Sequence, residues 1–161
     1  MNKKIIIYYS YTGHTRIIAN MIREKINCDV LELKMKVPYS NDYQTVVDEQ
    51  QNNEHAKDTP EIEQLNVDLN NYDEIILGTP VWWYTIAPPV RTFLMENDLK
   101  GKVIKPYATN AGWLGRTFKE IESLCKESTV KDEMNILFDE DYSTNLIKTE
   151  QKEIENWINR L

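Results

Sequence analysis

Residues 5–15 read Ile5-Ile6-Ile7-Tyr8-Tyr9-Ser10-Tyr11-Thr12-Gly13-His14-Thr15, a β-branched and aromatic run that breaks into a turn of hydroxyls and one glycine. An unalternating apolar run ending in such a turn is how a parallel strand covered on both faces reads. From Thr15 to Ile26 the apolar residues Ile17, Ile18, Met21, Ile22 and Ile26 recur at helical spacing, so the turn leads straight into an amphipathic helix. Strand, tight loop and helix form the first unit.

Outward from that unit the alternation continues. Cys28 to Met35 alternates Val30, Leu31, Leu33 and Met35 with charged residues and predicts a second, exposed or edge strand. Val37 to Asn71 is the most polar stretch, with Pro38 and Pro60 as breakers and a thin apolar stripe that predicts a helix over Tyr43 to Lys57. Glu74 to Leu77 reads as the third strand, stopped by Gly78-Thr79-Pro80. Pro88 and Pro89 open the next helix, with Val90, Phe93 and Leu94 inward. Val103 to Ala108 is the fourth strand, Thr109 to Gly115 a small-residue loop, and Thr117 to Cys125 a helix through Phe118, Ile121 and Leu124. Asn135 to Phe138 is the fifth strand. Ser143 to Leu161 predicts a closing helix with Leu146, Ile147, Ile154, Trp157, Ile158 and Leu161 on one face. Five strands alternating with helices predict an α/β, doubly wound parallel sheet with helices on both faces.

The 161 residues suit one domain over 1–161. Against 26 Asp and Glu stand 19 Lys and Arg, a net charge of −7 that disfavours nucleic acid as a partner and could steer a basic protein face. No apolar stretch reaches the roughly 18 residues that span a bilayer, and Met1-Asn2-Lys3-Lys4 leads into a run too short for a secretory segment, so no membrane association and a cytoplasmic site are expected. Cys28 and Cys125 form no CxxC pair and lie near no histidine cluster, so neither a disulfide framework nor a metal site is expected.

Ser10, Tyr11, Thr12, Gly13, His14 and Thr15 bring hydroxyls, a glycine and the free amides of a helix start together, a chemistry suited to one terminal phosphate. Neither Gly-Lys-Ser/Thr nor GxGxxG is present, which removes the nucleoside triphosphate and dinucleotide fingerprints. Read alone, the same hydroxyls could simply cap the helix. A ligand crevice in a doubly wound sheet lies outside the strand C-termini, where strand order reverses. The loops Ser10–Thr15, Thr79–Tyr84 and Thr109–Gly115 all belong to that edge. Trp82, Trp83 and Tyr84 cannot all point into one core, so they offer an aromatic surface, with packing under the next helix or at a dimer interface as the alternative. Asn110, Ala111, Gly112 and Gly115 are small enough for close approach, and Trp113 could shield a ligand. His14 is expected to be exposed or beside the phosphate, and His55 to lie on the surface.

Ser10, Thr12, Gly13 and Thr15 match the Ser/Thr-x-Thr-Gly-x-Thr loop of the flavodoxin family, and Gly78-Thr79-Pro80-Val81-Trp82-Trp83 through Pro88-Pro89-Val90 is similar to its bacterial branch. The resemblance spans nearly the whole chain. It implies sheet order 2-1-3-4-5, one non-covalently held FMN, and a ring edged by Pro80, Val81 and Trp82 with Trp83 or Tyr84 close by. Electron-carrying members often place a glycine in that ring loop. None stands between Thr79 and Ala87, which implies a weaker hold on a half-reduced flavin.

An electron carrier serving redox partner proteins is therefore expected, as a monomer or weak dimer, with no catalytic residue assigned. An FMN-dependent NAD(P)H:quinone-type oxidoreductase and a non-redox domain binding a phosphate ligand or a partner are the alternatives.

Overall fold

The structure, a computed structural model, describes residues 2–51 and 57–161. Lys4–Tyr8 forms β1, and its side chains alternate between two cores as the two-residue period of a strand requires. Ile5, Ile7 and Tyr9 enter one core, Ile6 and Tyr8 the other. The remaining elements are α1 (His14–Lys25), β2 (Asp29–Glu32), α2 (Tyr43–Gln50), β3 (Glu74–Trp82), β4 (Thr85–Ile86), α3 (Pro88–Glu96), β5 (Val103–Asn110), α4 (Thr117–Leu124), β6 (Thr129–Val130), β7 (Met134–Leu137) and α5 (Gln151–Ile158).

The sheet runs β2-β1-β3-β5 in parallel, and both β6 and β7 lie alongside β5. This is the expected 2-1-3-4-5 order, with its fifth strand in two pieces. Asp132, at φ 53°, turns the chain between them, and its carbonyl accepts Trp157 Nε1–H at 2.6 Å. Val90, Phe93, Leu94 and Ile121 from α3 and α4 fill one face; Ile18, Ala19, Ile22, Ile154, Trp157 and Ile158 from α1 and α5 fill the other.

Two expectations are corrected. Gly78-Thr79-Pro80 does not stop the third strand, because β5 pairs with it from Glu74 to Pro80. β1 pairs only as far as Gly78, so Pro80 falls where the strand has lost one neighbour and a missing N–H is tolerated. The closing helix is shorter than its apolar stripe. Residues 146–149 are instead tied to the end of β7: the Asp139 amide donates to the Leu146 carbonyl at 2.9 Å, the Lys148 amide to the Leu137 carbonyl at 2.7 Å, and the Leu137 amide to Thr149 Oγ1 at 2.7 Å. Leu146 is exposed there, while Ile147 bridges to Phe138. The helix expected over Tyr43–Lys57 is described only to Gln50, capped by Asp42, whose carboxylate accepts Thr45 N–H at 3.2 Å; His55 lies outside the described residues.

At the opposite edge of the sheet from the candidate loops, Glu74 and Lys105 are buried together at 3.0 Å, with Lys4 at 3.9 Å from the same oxygen and Asp132 at 3.8 Å from Lys105. Lys105 also donates to the Arg160 carbonyl at 3.2 Å, so this cluster ties the C-terminal turn to the sheet.

Candidate functional site

The segments following β1, β3 and β5 meet at the C-terminal edge of the sheet around one cleft of about 400 Å³. Order reverses between β1 and β3, so this is where a doubly wound sheet leaves its crevice. The cleft is large enough for a cofactor-sized molecule. Tyr11, Thr12 and His14 line it from the first loop, Pro80, Val81, Trp82, Trp83 and Tyr84 from the second, and Asn110 and Ala111 from the third, with Trp113 beside them.

The other expected residues stand behind this surface. Gly13 caps α1 at φ 102°, and Ser10 Oγ accepts the Arg16 amide at 3.3 Å. Thr15 is buried, its hydroxyl bonded to Thr109 Oγ1 at 2.8 Å, and its carbonyl accepts the Tyr107 hydroxyl at 3.0 Å. Tyr107 therefore buttresses the start of α1 from β5. Thr79 is also buried: its hydroxyl donates to the Pro80 carbonyl at 2.8 Å and accepts the Ala87 amide at 3.1 Å. Gly112, at φ 131°, gives its amide to Asn110 Oδ1 at 2.9 Å, and Gly115 packs against Tyr84. These six fix the backbone that carries the lining residues.

His14 is not solvent-exposed. Its ring lies flat on Phe138, centroids 4.1 Å apart, and Nε2 is 2.7 Å from the Thr144 carbonyl, so it fastens the segment after β7 to the first loop. Trp82 is wedged edge-on between Tyr9 and Tyr11 and tilted against Tyr39, with centroids at 6.1, 5.7 and 5.0 Å. Burial raises the Tyr9 hydroxyl pKa and, with the charge of Asp58, pushes that of Tyr39 up to about 12, so these phenols stay neutral at ordinary pH. Trp83, Tyr84 and Trp113 remain exposed at the rim.

Sequence reading missed one whole wall. Tyr43, Val46, Val47 and Gln50 of α2 line the cleft, as do Phe138, Asp139, Glu140 and Tyr142. Tyr43 and Tyr142 stack at 3.8 Å and join the two pieces. The i, i+3, i+4, i+7 spacing of Tyr43, Val46, Val47 and Gln50 was the available signal.

Chemically, the cleft has two ends. Near Thr12 the first amides of α1 have no intrahelical acceptor, and no acidic residue occupies the first turn of that helix. Elsewhere the walls are mainly aromatic and aliphatic, with Gln50, Asn110, Asp139 and Glu140 as polar members. No Lys or Arg is among the described lining residues, so an anion at the first loop would meet neutral donors and the helix dipole. The described residues contain no cluster of His, Cys, Asp and Glu able to hold a metal ion, and no helix long and apolar enough to cross a membrane.

The chain is similar to a flavoprotein in complex with FMN from Lactobacillus acidophilus, at 28% identity over 84% of this chain and 93% of that one, with a TM-score of 0.71. The apo form of the flavoprotein from the same organism gives 26% identity, 98% and 97% coverage and a TM-score of 0.63. A Bacillus cereus oxidised flavodoxin shares the fold at 17% identity, 99% and 94% coverage and a TM-score of 0.53. No curated protein matches the chain. The flavodoxin family model covers residues 3–161, and by that match, on the sheet and cleft just described, the chain belongs to the flavodoxin family.

Proposed function

We propose that the cleft holds one FMN without a covalent bond and that the protein carries electrons between partner proteins. The observation that carries this reading is the meeting of three strand-end segments around one cleft, with helix-start amides that lack an intrahelical acceptor and Thr12 at one end and mainly aromatic walls at the other. A phosphate fits the first end and a broad planar ring the second. When bound, FMN supplies electron transfer at its ring.

The chain's own residues bind and shield. Thr12 and the first amides of α1 hold the phosphate, with Gly13 shaping the turn around it. Trp82 is fixed from behind by Tyr9, Tyr11 and Tyr39, so Val81, Trp83 and Tyr84 present a settled wall to the ring. Trp113 and Tyr142 limit water at the mouth. Asp139 and Glu140 place negative charge beside it, which disfavours added charge on the ligand and suits a basic docking face.

The test is turnover by the FMN-loaded protein. A carrier, once reduced chemically, passes electrons to a one-electron acceptor protein but does not oxidise NADH or NADPH in steady state. Sustained pyridine nucleotide oxidation would instead support the quinone-type oxidoreductase.

A further inference from the structure

Trp83 and Tyr84 are the central residues of the hairpin joining β3 to β4, in which Trp82 pairs with Thr85 and Val81 with Ile86. Both have positive φ, 49° and 67°. A two-residue hairpin of this kind normally recruits Asn-Gly, and bulky residues keep left-handed backbone only where their surroundings impose it.

The surroundings here are specific. The Tyr84 carbonyl accepts the Arg116 amide at 2.7 Å. Gly115 lies so close that a Cβ on it would stand 2.7 Å from Tyr84 Cα and nearer still to the carbonyl oxygen. The Thr85 hydroxyl donates to Glu120 Oε2, and the other oxygen of Glu120 accepts from Nε of buried Arg91 at 2.6 Å. Arg91 Nη1 is itself held by the Asp58 carbonyl at 3.0 Å. One hairpin is thus gripped from behind by the lead into α4, by α4 itself and, through Glu120, by α3.

We infer that Glu120, acting through Thr85, is a positioning residue that with Gly115 and Arg116 holds the Trp83-Tyr84 hairpin in its left-handed shape before any ligand arrives. This rests on the FMN site proposed above. A wall already formed spares the ligand the cost of ordering it, so loosening the grip weakens binding even though none of the three touches the cleft.

FMN is titrated into flavin-free Thr85→Val and Glu120→Ala proteins, each with Tyr84 present and with Tyr84→Gly, by quenching of flavin fluorescence. Glycine takes positive φ without steric cost, which relieves one of the two left-handed positions, so the grip should matter less once Tyr84 is replaced. Each variant is expected to weaken FMN about tenfold beside Tyr84, equivalent to about 1.4 kcal/mol, and by less than about threefold in the Tyr84→Gly background. Equal losses in both backgrounds overturn the inference. Thr85→Val leaves the Arg91–Glu120 pair intact, which keeps the test available if Glu120→Ala does not fold. Hydrogen exchange at the Arg116 amide, measured without flavin, should quicken in both variants, and unchanged exchange also overturns it. Failure of the unmutated protein to bind FMN would instead sink the proposed function, with the exchange result still deciding the grip.

Discussion

Gly78→Ala should destabilise the protein and slacken the first loop from a position that does not line the cleft. Gly78 pairs with Tyr107 across β3 and β5, and the tyrosine ring lies over the glycine to reach the Thr15 carbonyl. A Cβ at 78 would stand 2.7 Å from Tyr107 Cε1 and closer still to Cζ and the hydroxyl oxygen. Ordinary carbon contacts lie at about 3.5–4.0 Å, so the ring must move by roughly an ångström. It has nowhere cheap to go: Tyr107 is fully buried and meets Trp157 edge-on at 5.8 Å. Overpacking of this kind costs about 1–3 kcal/mol, and loss of the bond to Thr15 adds about 0.5–1.5 kcal/mol. A total of about 2–4 kcal/mol lowers Tm by roughly 5–15 °C for a chain of this length. Thermal unfolding of the flavin-free protein reads that number directly, with Tyr107→Phe as the companion that removes the hydroxyl alone and should cost about 1 kcal/mol. A Gly78→Ala protein within about 0.5 kcal/mol of the parent, the range of an ordinary surface change, would refute the placement of Tyr107.

Lys105→Ala removes the nearest cation from buried Glu74 and, among the described residues, leaves Lys4 at 3.9 Å, so urea unfolding should show a loss of about 3 kcal/mol, the low end for a broken buried pair; a loss under about 1 kcal/mol would mean that Glu74 is already hydrated. Burial pushes the Cys125 thiol up to about 11 from an ordinary value of 9.0. The unfolded thiol ionises first, so stability present below pH 9 is lost as pH rises toward 11, by up to about 3 kcal/mol. Urea titrations at pH 8 and pH 10.5 should converge partly in Cys125→Ala, and an unchanged pH dependence in that variant would count against it.

Sequence alone was enough for the sheet and for the three loops, because a buried parallel strand leaves an apolar run and a helix leaves a period that no neighbour has to supply. Ile5 to Tyr9 and Ile17 to Ile26 are of that kind. Where the deciding interaction is distant, the reading fell short. The extension of β3 through Pro80 depends on β5 alongside it, and the split fifth strand depends on left-handed Asp132. Bonds from residues 146–149 to Leu137 and Asp139 cut short a helix that the spacing of Leu146 and Ile147 favoured. At the site, Tyr11, Thr12 and Pro80 to Tyr84 were visible as chemistry next to strand ends. The wall from α2 and Tyr142 was missed: the stripe of Tyr43, Val46, Val47 and Gln50 marks a helix face, but only the folded chain brings Tyr43 against Tyr142 and that face to the cleft. Thr15, Thr79 and Gly115 have the composition of ligand contacts, yet their bonds and close approaches are to Thr109, Ala87 and Tyr84.

The central claim is that one cleft takes a flat ring and its phosphate together. Isothermal titration of the flavin-free protein with FMN, and separately with riboflavin, which has the ring and no phosphate, puts both ends of the cleft to the test. One site is expected, with FMN bound at least about tenfold more tightly, equivalent to about 1.4 kcal/mol from the neutral donors at the head of α1. No binding of either, or equal binding of both, would contradict it.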